Sequence, residues 1–230
     1  MDYRVENKYI VDEAQIEYLK VRLSECMKAD AHGDDGSYLI RSVYFDDMYD
    51  TALQDTIAGV DNRFKYRIRT YDNDTNVINL ELKKMIHGYK HKDSTALTKE
   101  EANLYINGQL PAPKKEDEAL KKEFYSYISC NNSKPKIIVE YERTALVERI
   151  GNVRITFDKN IGACSKVEAF YDKIMPVVPV MEEGYHILEV KYDELLPDYI
   201  LRILKEVSLS KTSYSKYYQA RLRPTLGELI

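Results

Sequence analysis

The chain of 230 residues is 44% hydrophobic and carries a net charge of −4, which is ordinary for a globular protein with one large domain. The acidic balance disfavours general affinity for DNA or RNA, so we expect no nucleic-acid partner. No apolar run approaches the roughly 20 residues of a membrane-spanning helix, and none is typical of a secretory signal. We therefore predict a cytoplasmic protein, whose three well-separated cysteines are reduced rather than zinc-bound.

Four segments have the periodicity of amphipathic helices, and no linker or repeat divides the chain, so we predict a single domain over residues 1–230. Residues typical of helix ends lie at the expected places. The predicted helices are 11–27, 97–108, 114–128 and 196–207, with end residues at Asp12, at Thr98 and Glu101, at Gly108 and at Pro197. Asp46 and Asp47 are predicted to cap a further short helix, and most of the remaining chain is predicted to be strand.

The stretch FKYRIR, residues 64–69, alternates in a way that places like charges on one face of a strand. Successive strand residues point to opposite faces, so the cations share one face and the hydrophobic residues the other. Neighbouring cations would lie about 6.7 Å apart and repel by roughly 0.6 kcal/mol in water, or about 2.5 kcal/mol at an effective dielectric of 20. The row means little on open surface but predicts an anionic partner if it faces inward. Its members are Arg63, Lys65, Arg67 and Arg69.

The same alternation recurs in YRVENKY, NLELKK, VRITFD and LEVKYD, while VEYER places Tyr141 and Arg143 on one face and two glutamates on the other. Any single strand of this kind is also what an antiparallel sheet with one wet face shows. Taken together, the polar faces are dense in Arg, Lys and Glu, which is typical of a site. They supply the cations Arg4, Lys8, Arg63, Lys65, Arg67, Arg69, Lys83, Arg143, Arg154 and Lys191, and the acids Glu6, Glu81, Asp158 and Glu189. A barrel with these faces inward would bind a compact polyanion and leave carboxylates for a divalent cation.

These motifs, in order, resemble the VTC (vacuolar transporter chaperone) polyphosphate polymerase domain, a branch of the triphosphate tunnel metalloenzymes that also include CYTH-like phosphatases and cyclases. The similar segments are YRVENKYIV, RSVYFDD, KYRIRTY, LELKK, EYERTAL, VRITFD, LEVKYDELLP and SYSKYYQA, which together run from residue 3 to residue 220. The resemblance implies an α+β fold, in which an eight-stranded antiparallel β-barrel forms a triphosphate tunnel with a charged lumen and flanking α-helices. It also implies a transferase that moves the γ-phosphate of ATP onto inorganic polyphosphate with Mn²⁺ or Mg²⁺.

Site residues follow from the same motifs and from the cation row. The expected phosphate-binding residues are Lys8, Lys65, Arg67, Arg69, Lys83, Lys92, Tyr141, Arg143, Arg154, Lys191 and Lys216. Lys92 is expected in a turn formed by GYKHKDS. The resemblance implies Glu189 and Glu6 as metal ligands, and Ser215, Lys216 and Arg143 as catalytic residues. The expected partners are ATP and inorganic polyphosphate or triphosphate. The sequence leaves open a membrane-protein partner and does not predict the oligomeric state.

Three positions depart from the family pattern. The ExExK signature of the wider superfamily begins here with Arg4, which disfavours a two-metal arrangement of the phosphatase type. Lys92 is followed by Asp93 and Ser94 where another arginine is expected. The lysine expected two residues before the SKY motif is Ser213, and Lys211 is predicted to substitute for it.

Other site types fit the sequence less well. The four histidines are scattered and are predicted to be loop or surface residues rather than zinc ligands. The chain contains no phosphate-binding loop of the G-x-x-x-x-G-K-[ST] type, which excludes a P-loop nucleotide site. Two alternatives stay open because they need the same tunnel: a triphosphatase that uses water as acceptor, and a non-catalytic sensor of polyphosphate or nucleotides.

Overall fold

The computed structural model describes residues 4–30 and 36–223, so Tyr3 of the first alternating segment and His32 lie outside the described residues. Within these ranges the chain forms eleven strands, six α-helices and two short 3₁₀ segments. The strands are β1 (Arg4–Asp12), β2 (Lys28–Ala29), β3 (Ser37–Asp46), β4 (Arg63–Tyr71), β5 (Ile78–Ile86), β6 (Tyr89–Leu97), β7 (Lys134–Glu148), β8 (Val153–Cys164), β9 (Val178–Pro179), β10 (Tyr185–Asp193) and β11 (Ser210–Thr212). The helices are α1 (Glu13–Ser24), α2 (Thr51–Ile57), α3 (Lys99–Ile106), α4 (Ala119–Asn131), α5 (Asp198–Lys205) and α6 (Lys216–Leu222).

The described residues divide into two compact units. Of the described residues, the first unit contains 4–30, 36–39, Tyr141–Ile161 and Met181–Ser215, and the second contains Ile40–Glu140, Gly162–Val180 and 216–223. In the first unit the strand order is β11-β1-β10-β8-β7, with β2 beside β7. In the second unit the order is β7-β3-β4-β5-β6, with β9 beside the end of β8, so the long strand β7 has residues in both units.

Local capping determines where the helices begin, as the sequence predicts. Asp12 accepts a hydrogen bond from the backbone N–H of Gln15 at 2.8 Å, and the Gln15 side chain accepts one from the Asp12 N–H at 3.0 Å. This capping box starts α1, whose buried residues Ile16, Leu19 and Leu23 join the hydrophobic core of the first unit. The predicted capping box of Thr98 and Glu101 likewise starts α3. The helix predictions are confirmed, with each helix shorter than its predicted segment.

Asp46 and Asp47 cap α2 although they precede its first residue, Thr51, by several positions in the chain. Asp46, at the end of β3, accepts hydrogen bonds from the N–H groups of Ala52 and Leu53 at 2.9 and 3.1 Å. Asp47 accepts from the N–H of Thr51 at 3.0 Å. These bonds satisfy N–H groups that the first turn of a helix leaves without intrahelical partners, so the predicted capping is confirmed.

The hydrophobic face of β4 packs on α4 in the second unit. The Tyr66 ring lies 4.9 Å from the ring of Phe124 and 4.8 Å from that of Tyr127. Phe64 is partly exposed but its ring contacts the Tyr127 ring at 5.4 Å. Ile68 belongs to the same core, which confirms that the hydrophobic residues of FKYRIR face the helices.

A two-residue hairpin turn sets the register of β5 against β6. His87 and Gly88 both have positive φ, 52° and 78°, as a type I′ turn requires, and Ile86 pairs with Tyr89 across it. Lys92 therefore lies within β6, opposite Lys83, and the expectation that GYKHKDS is a turn is wrong. The alternating pattern of that segment is weak because β6 is largely exposed.

The predicted fold class is confirmed: the fold is α+β, with an antiparallel sheet and flanking helices. The predicted number of eight strands is corrected to eleven. Among the described residues no pairing joins the end strands β6 and β11, so the path of hydrogen-bonded strands is not closed. The single domain stays a prediction. Every described helix is too short or too polar to cross a membrane, and the cytoplasmic location also stays a prediction.

Candidate phosphate-binding faces

The charged face of the second unit includes three neighbouring rows across β4, β5 and β6, with the row Arg63–Met85–Lys90 beside them. Like charges lie directly opposite one another in the first row, which is unfavourable between neighbouring strands. The rows are Lys65–Lys83–Lys92, Arg67–Glu81–Ser94 and Arg69–Asn79–Ala96, so they contain five cations and one carboxylate. This excess of positive charge suits a polyanion.

Glu81 holds the arginines of this face. Arg67 donates from Nε to Glu81 Oε2 at 2.7 Å and makes a second, shorter hydrogen bond from Nη2. Arg69 Nη1 lies 3.8 Å from the same oxygen, and Lys92 Nζ lies 3.4 Å from Oε1. Burial opposes ionisation of Glu81, which is 1% exposed, but the three cations outweigh it and lower the pKa of the carboxyl group. The carboxylate therefore stays charged and fixes the arginine geometry.

Tyr44 adds a hydroxyl group to this face, and sequence reasoning missed it. Arg67 donates from Nη1 to the Tyr44 hydroxyl at 3.0 Å, and Arg69 donates from Nε to Ser42 Oγ at 3.0 Å. Burial opposes ionisation of Tyr44, but Arg67, Arg69 and Lys65 outweigh it and lower the pKa of the phenol. A phenol in such a field is a ready hydrogen-bond donor to an anion. The signal in the sequence is the alternation within SVYFD, where Ser42, Tyr44 and Asp46 share one face of β3. The apolar Val43 and Phe45 lie on the other face.

The helix α6 is tied to the β3–α2 segment beside this face. Tyr217 stacks on Tyr44 with ring centroids 5.0 Å apart and donates its hydroxyl hydrogen to Asp46 Oδ2 at 2.6 Å. Arg221 donates to both carboxylate oxygens of Asp50, at 3.0 and 2.8 Å. Burial, with the Asp46 carboxylate, raises the pKa of Tyr217, so its hydroxyl stays protonated. These contacts fix the start of α6, where Lys216 lies directly after Ser215.

The charged face of the first unit is balanced rather than cationic. Its rows across β1, β10 and β8 are Arg4–Asp193, Glu6–Lys191–Arg154, Lys8–Glu189–Thr156 and Ile10–Ile187–Asp158, with four cations and four carboxylates. Lys8 Nζ lies 3.6 Å from Glu6 and also donates to the Tyr214 carbonyl at 3.0 Å. Each charged pair between β1 and β10 joins opposite signs, which stabilises that pairing without a ligand, whereas Lys191 and Arg154 are like charges opposite one another between β10 and β8.

Arg143 of β7 joins this face through a paired hydrogen bond. It donates from Nε and Nη2 to the two oxygens of Asp158 at 2.6 and 2.7 Å, and its Nη2 lies 3.7 Å from Glu189. Burial opposes the charge of Arg143, but Asp158, Tyr141 and Glu189 outweigh it and raise the pKa of the guanidinium group. The Arg143 guanidinium also lies over the Tyr141 ring, 5.3 Å from its centroid. The predicted residues Tyr141, Arg143 and Glu189 are thus brought together.

Glu6 and Glu189 are close enough to share a cation. Both contact the ammonium group of Lys191, at 3.7 Å and 2.8 Å. In phosphate-transfer sites Mg²⁺ is usually bound by one or two carboxylates, with water and phosphate oxygens completing its shell. Two carboxylates are the number that such an ion usually takes from a protein, so Glu6 and Glu189 fit it. Among the described residues no group of three His, Cys, Asp or Glu side chains is placed to hold a metal.

Arg154 is directed to partners that sequence reasoning missed. Its Nη2 donates to Asp30 at 2.6 Å and to the Tyr38 hydroxyl at 3.0 Å. Asp30 follows the short strand β2 and has no alternating pattern around it, so no local feature of the sequence identifies it. Arg154 lies opposite Lys191 in the sheet, but the described partners of its terminal nitrogens are not Glu6 or Glu189.

Two further expectations are corrected. Lys211 lies opposite Tyr9 on the neighbouring strand, whereas Lys8 lies opposite Thr212, so Lys211 is on the other face and does not substitute for the lysine missing at Ser213. His186 is not a loop or surface residue: it is buried in β10, and its Nε2 lies 2.8 Å from Glu13. Asp93, which departs from the family pattern, lies on the face of β6 opposite to Lys92. Its Oδ2 atom is 3.9 Å from Lys84 Nζ.

A comparison with family profiles matches the VTC domain over residues 3–223. The chain belongs to the VTC domain family. The match covers both units, so the resemblance of the individual motifs is confirmed at the level of the family. Among proteins with curated functions, none matches this VTC domain.

Solved structures with the same fold are distant in sequence. A candidate adenylate cyclase from Bacillus halodurans is 15% identical with a TM-score of 0.52, over 89% of this chain and 87% of the other. A candidate adenylyl cyclase from Hippeastrum, described as having a dominant triphosphatase activity, is 14% identical with a TM-score of 0.53, over 96% and 95%. A protein from Pyrococcus horikoshii OT3 is 13% identical with a TM-score of 0.50, over 96% and 98%. At these identities the likeness is one of fold.

Proposed function

We propose that this VTC domain is a metal-dependent phosphotransferase that moves the γ-phosphoryl group of ATP onto the end of an inorganic polyphosphate chain. The observation that carries the proposal is the charged face of the second unit, where three neighbouring rows hold five cations and one carboxylate. A face with this excess suits a chain of phosphates, each of which carries negative charge. The family resemblance to polyphosphate polymerases supports the choice of ATP and polyphosphate as substrates.

The reaction needs little covalent chemistry from the protein. A terminal oxygen of the polyphosphate chain forms a bond to the γ-phosphorus, and the bond from that phosphorus to the leaving ADP oxygen breaks. Lys65, Arg67 and Arg69 would neutralise phosphate oxygens whose charge must be held in the transition state. Glu81 keeps the arginines oriented, and helix α6, held by Asp46 and Asp50, would present Lys216.

The first unit would supply the metal-binding carboxylates. Glu6 and Glu189 would hold Mn²⁺ or Mg²⁺, whose positive charge would help to neutralise the phosphate groups of the substrate. Lys8, Lys191 and Arg143 would bind phosphates beside them. Each of these cations is already paired with a carboxylate of its own face, so substrate would exchange one set of ion pairs for another.

The experiment is to incubate the purified protein with γ-labelled ATP and Mn²⁺ and to resolve the products by size. Long acid-labile polymer supports the proposal. Free orthophosphate supports the second candidate, a triphosphatase, which the activity described for the Hippeastrum neighbour favours. Unchanged ATP with measurable binding supports a sensor.

Lys83 and Lys84 provide a matched pair of variants for this assay. Lys83 lies on the cationic face, opposite Lys65 and Lys92, whereas Lys84 contacts Glu123 and Asp93 at 3.1 and 3.9 Å on the other face. Lys83→Met should reduce polymer formation at least about tenfold, since a contact to a charged group is lost. Lys84→Met should leave it within a factor of about two. Equal losses from both would show that the face does not bind the substrate.

A further inference from the structure

Thr156 is a buried hydroxyl residue on the charged face of the first unit, and no family motif assigns it a role. It lies in β8 directly opposite Glu189, two residues from Arg154 and two from Asp158 on the same face. Its side chain belongs to a residue that is only 3% exposed. A hydroxyl at this position can donate one hydrogen bond and accept others.

The Thr156 hydroxyl has no hydrogen-bond partner among the described residues. Buried hydroxyl groups in folded proteins are normally paired, because leaving one unpaired is unfavourable. The neighbouring charged groups direct their hydrogen bonds elsewhere: Arg143 to Asp158, Lys191 to Glu189 and Lys8 to the Tyr214 carbonyl. No contact among the described residues uses this hydroxyl, so a ligand that supplies an acceptor could pair with it.

Arg154 supplies a second orphan donor on the same strand face. Its Nη2 is held by Asp30 and Tyr38, while its Nε is buried and has no partner among the described residues. Residues two apart in a strand are about 6.7 Å apart, so their side chains can reach one multi-oxygen ligand. Two donors without acceptors, beside Lys8 and Lys191, match an acceptor-only anion such as a phosphate.

We propose that Thr156 is a phosphate-binding residue, whose hydroxyl donates a hydrogen bond to a phosphoryl oxygen held on the first unit beside Arg154. The inference rests on the proposed function, because it assigns a contact to the same substrate class. It goes beyond the charged ligands by giving a neutral side chain a part in affinity. The contact is directional, so it fixes a phosphate oxygen in a way that flexible lysines do not.

The test measures the affinity for tripolyphosphate by calorimetry in low salt, with EDTA present so that divalent ions do not contribute. Thr156→Val keeps the shape of the side chain and removes the hydroxyl, and it should weaken binding about tenfold. Thr156→Ser keeps the hydroxyl and should bind within about twofold of the natural protein. The melting temperature of Thr156→Val should be unchanged or higher, since no protein hydrogen bond is lost.

A second pair of variants covers the case in which Thr156→Val folds poorly. Thr156→Ser and Thr156→Ala differ only in the hydroxyl, so the weaker binding should appear in Ala and not in Ser. Equal affinity within each pair overturns the inference while leaving the proposed function intact. A loss that appears only when Mg²⁺ replaces EDTA also overturns it, because the hydroxyl would then serve a metal. Failure of the natural protein to bind tripolyphosphate overturns both proposals.

Discussion

The charged faces of the two units differ in how their cations are balanced. In the second unit Arg67, Arg69 and Lys92 converge on the single carboxylate of Glu81, and three lysines lie in a row across neighbouring strands. In the first unit the paired rows hold as many carboxylates as cations, and Lys8, Lys191 and Arg143 each contact an acid.

Strands with the same alternation of charged and hydrophobic residues can therefore form surfaces of different net charge. A cation-rich face gains most from an anionic ligand, whereas a balanced face is stable alone and exchanges partners on binding. Under the proposed function, affinity for phosphate would come mainly from the second unit and metal binding from the first. Four sets of variants test this difference between the two faces.

The largest expected effect is on the cationic face. Arg67→Met together with Arg69→Met should lower the free energy of unfolding by about 3–5 kcal/mol, because Glu81 would be buried without its arginines. The alternation alone predicts the opposite, a gain from relieved repulsion. Adding Glu81→Gln should restore at least half of the lost stability. Urea denaturation of the double and triple variants measures both quantities, and a double variant as stable as the natural protein would contradict the role given to Glu81.

The next effect tests the first unit. Glu189→Gln should retain the fold, because the amide keeps the shape, but should reduce divalent-dependent turnover of ATP about a hundredfold. Glu142→Gln is the control, since Glu142 lies on the other face of β7 and contacts Asn160 at 3.1 Å. Steady-state assays over a range of Mn²⁺ concentrations give the comparison. Full activity in Glu189→Gln would move the metal role to another acid.

A smaller effect is expected from the attachment of α6. Tyr217→Phe removes the hydrogen bond that the hydroxyl donates to Asp46 and the one that it accepts from Arg221, and it should cost about 1.5 kcal/mol of stability. Because Lys216 precedes Tyr217, kcat should fall while KM changes little. Tyr49→Phe, at an exposed position, should change neither value. Loss of stability with kcat intact would show that Tyr217 supports the fold but does not position Lys216.

The smallest effect is confined to acidic pH. The pKa of Glu81 is lowered in the folded state, so its ion pairs stabilise the protein above the ordinary carboxyl pKa and are lost as pH falls below it. The difference in unfolding free energy between the natural protein and Glu81→Gln should be constant near neutrality and shrink below about pH 4. Denaturation curves measured from neutral to acidic pH test the sign. A difference that grows on acidification would contradict it.

The sequence predicts the local parts of this structure well. Capping boxes at Asp12 and Thr98 depend on residues three apart, and the two faces of β4 depend only on the period of a strand. The grouping of Tyr141, Arg143 and Glu189 follows from the family motifs and is also seen in the contacts.

The parts that sequence reasoning missed depend on register and on distant segments. Glu81 is visible as one acid in NLELKK, but its position opposite Arg67 is set by strand pairing, not by its own alternation. Tyr38 and Asp30 reach Arg154 from more than a hundred residues away in the chain. A count of charges by strand therefore predicts the cations but not which carboxylates neutralise them.

The strand order has a consequence for how the two units fold. In the second unit β3, β4, β5 and β6 pair in sequence order, each with the next strand along the chain. Each pairing therefore joins segments that are close together in the sequence. In the first unit β1 pairs with β10 and β11, for example Lys8 with Glu189, and must wait for nearly the whole chain. Loop closure over that separation is entropically costly and slow. We expect amides of β4 and β5 to be protected before those of β1 in pulsed hydrogen exchange during refolding, with β1 left as an exposed strand that is open to wrong pairing until β10 arrives.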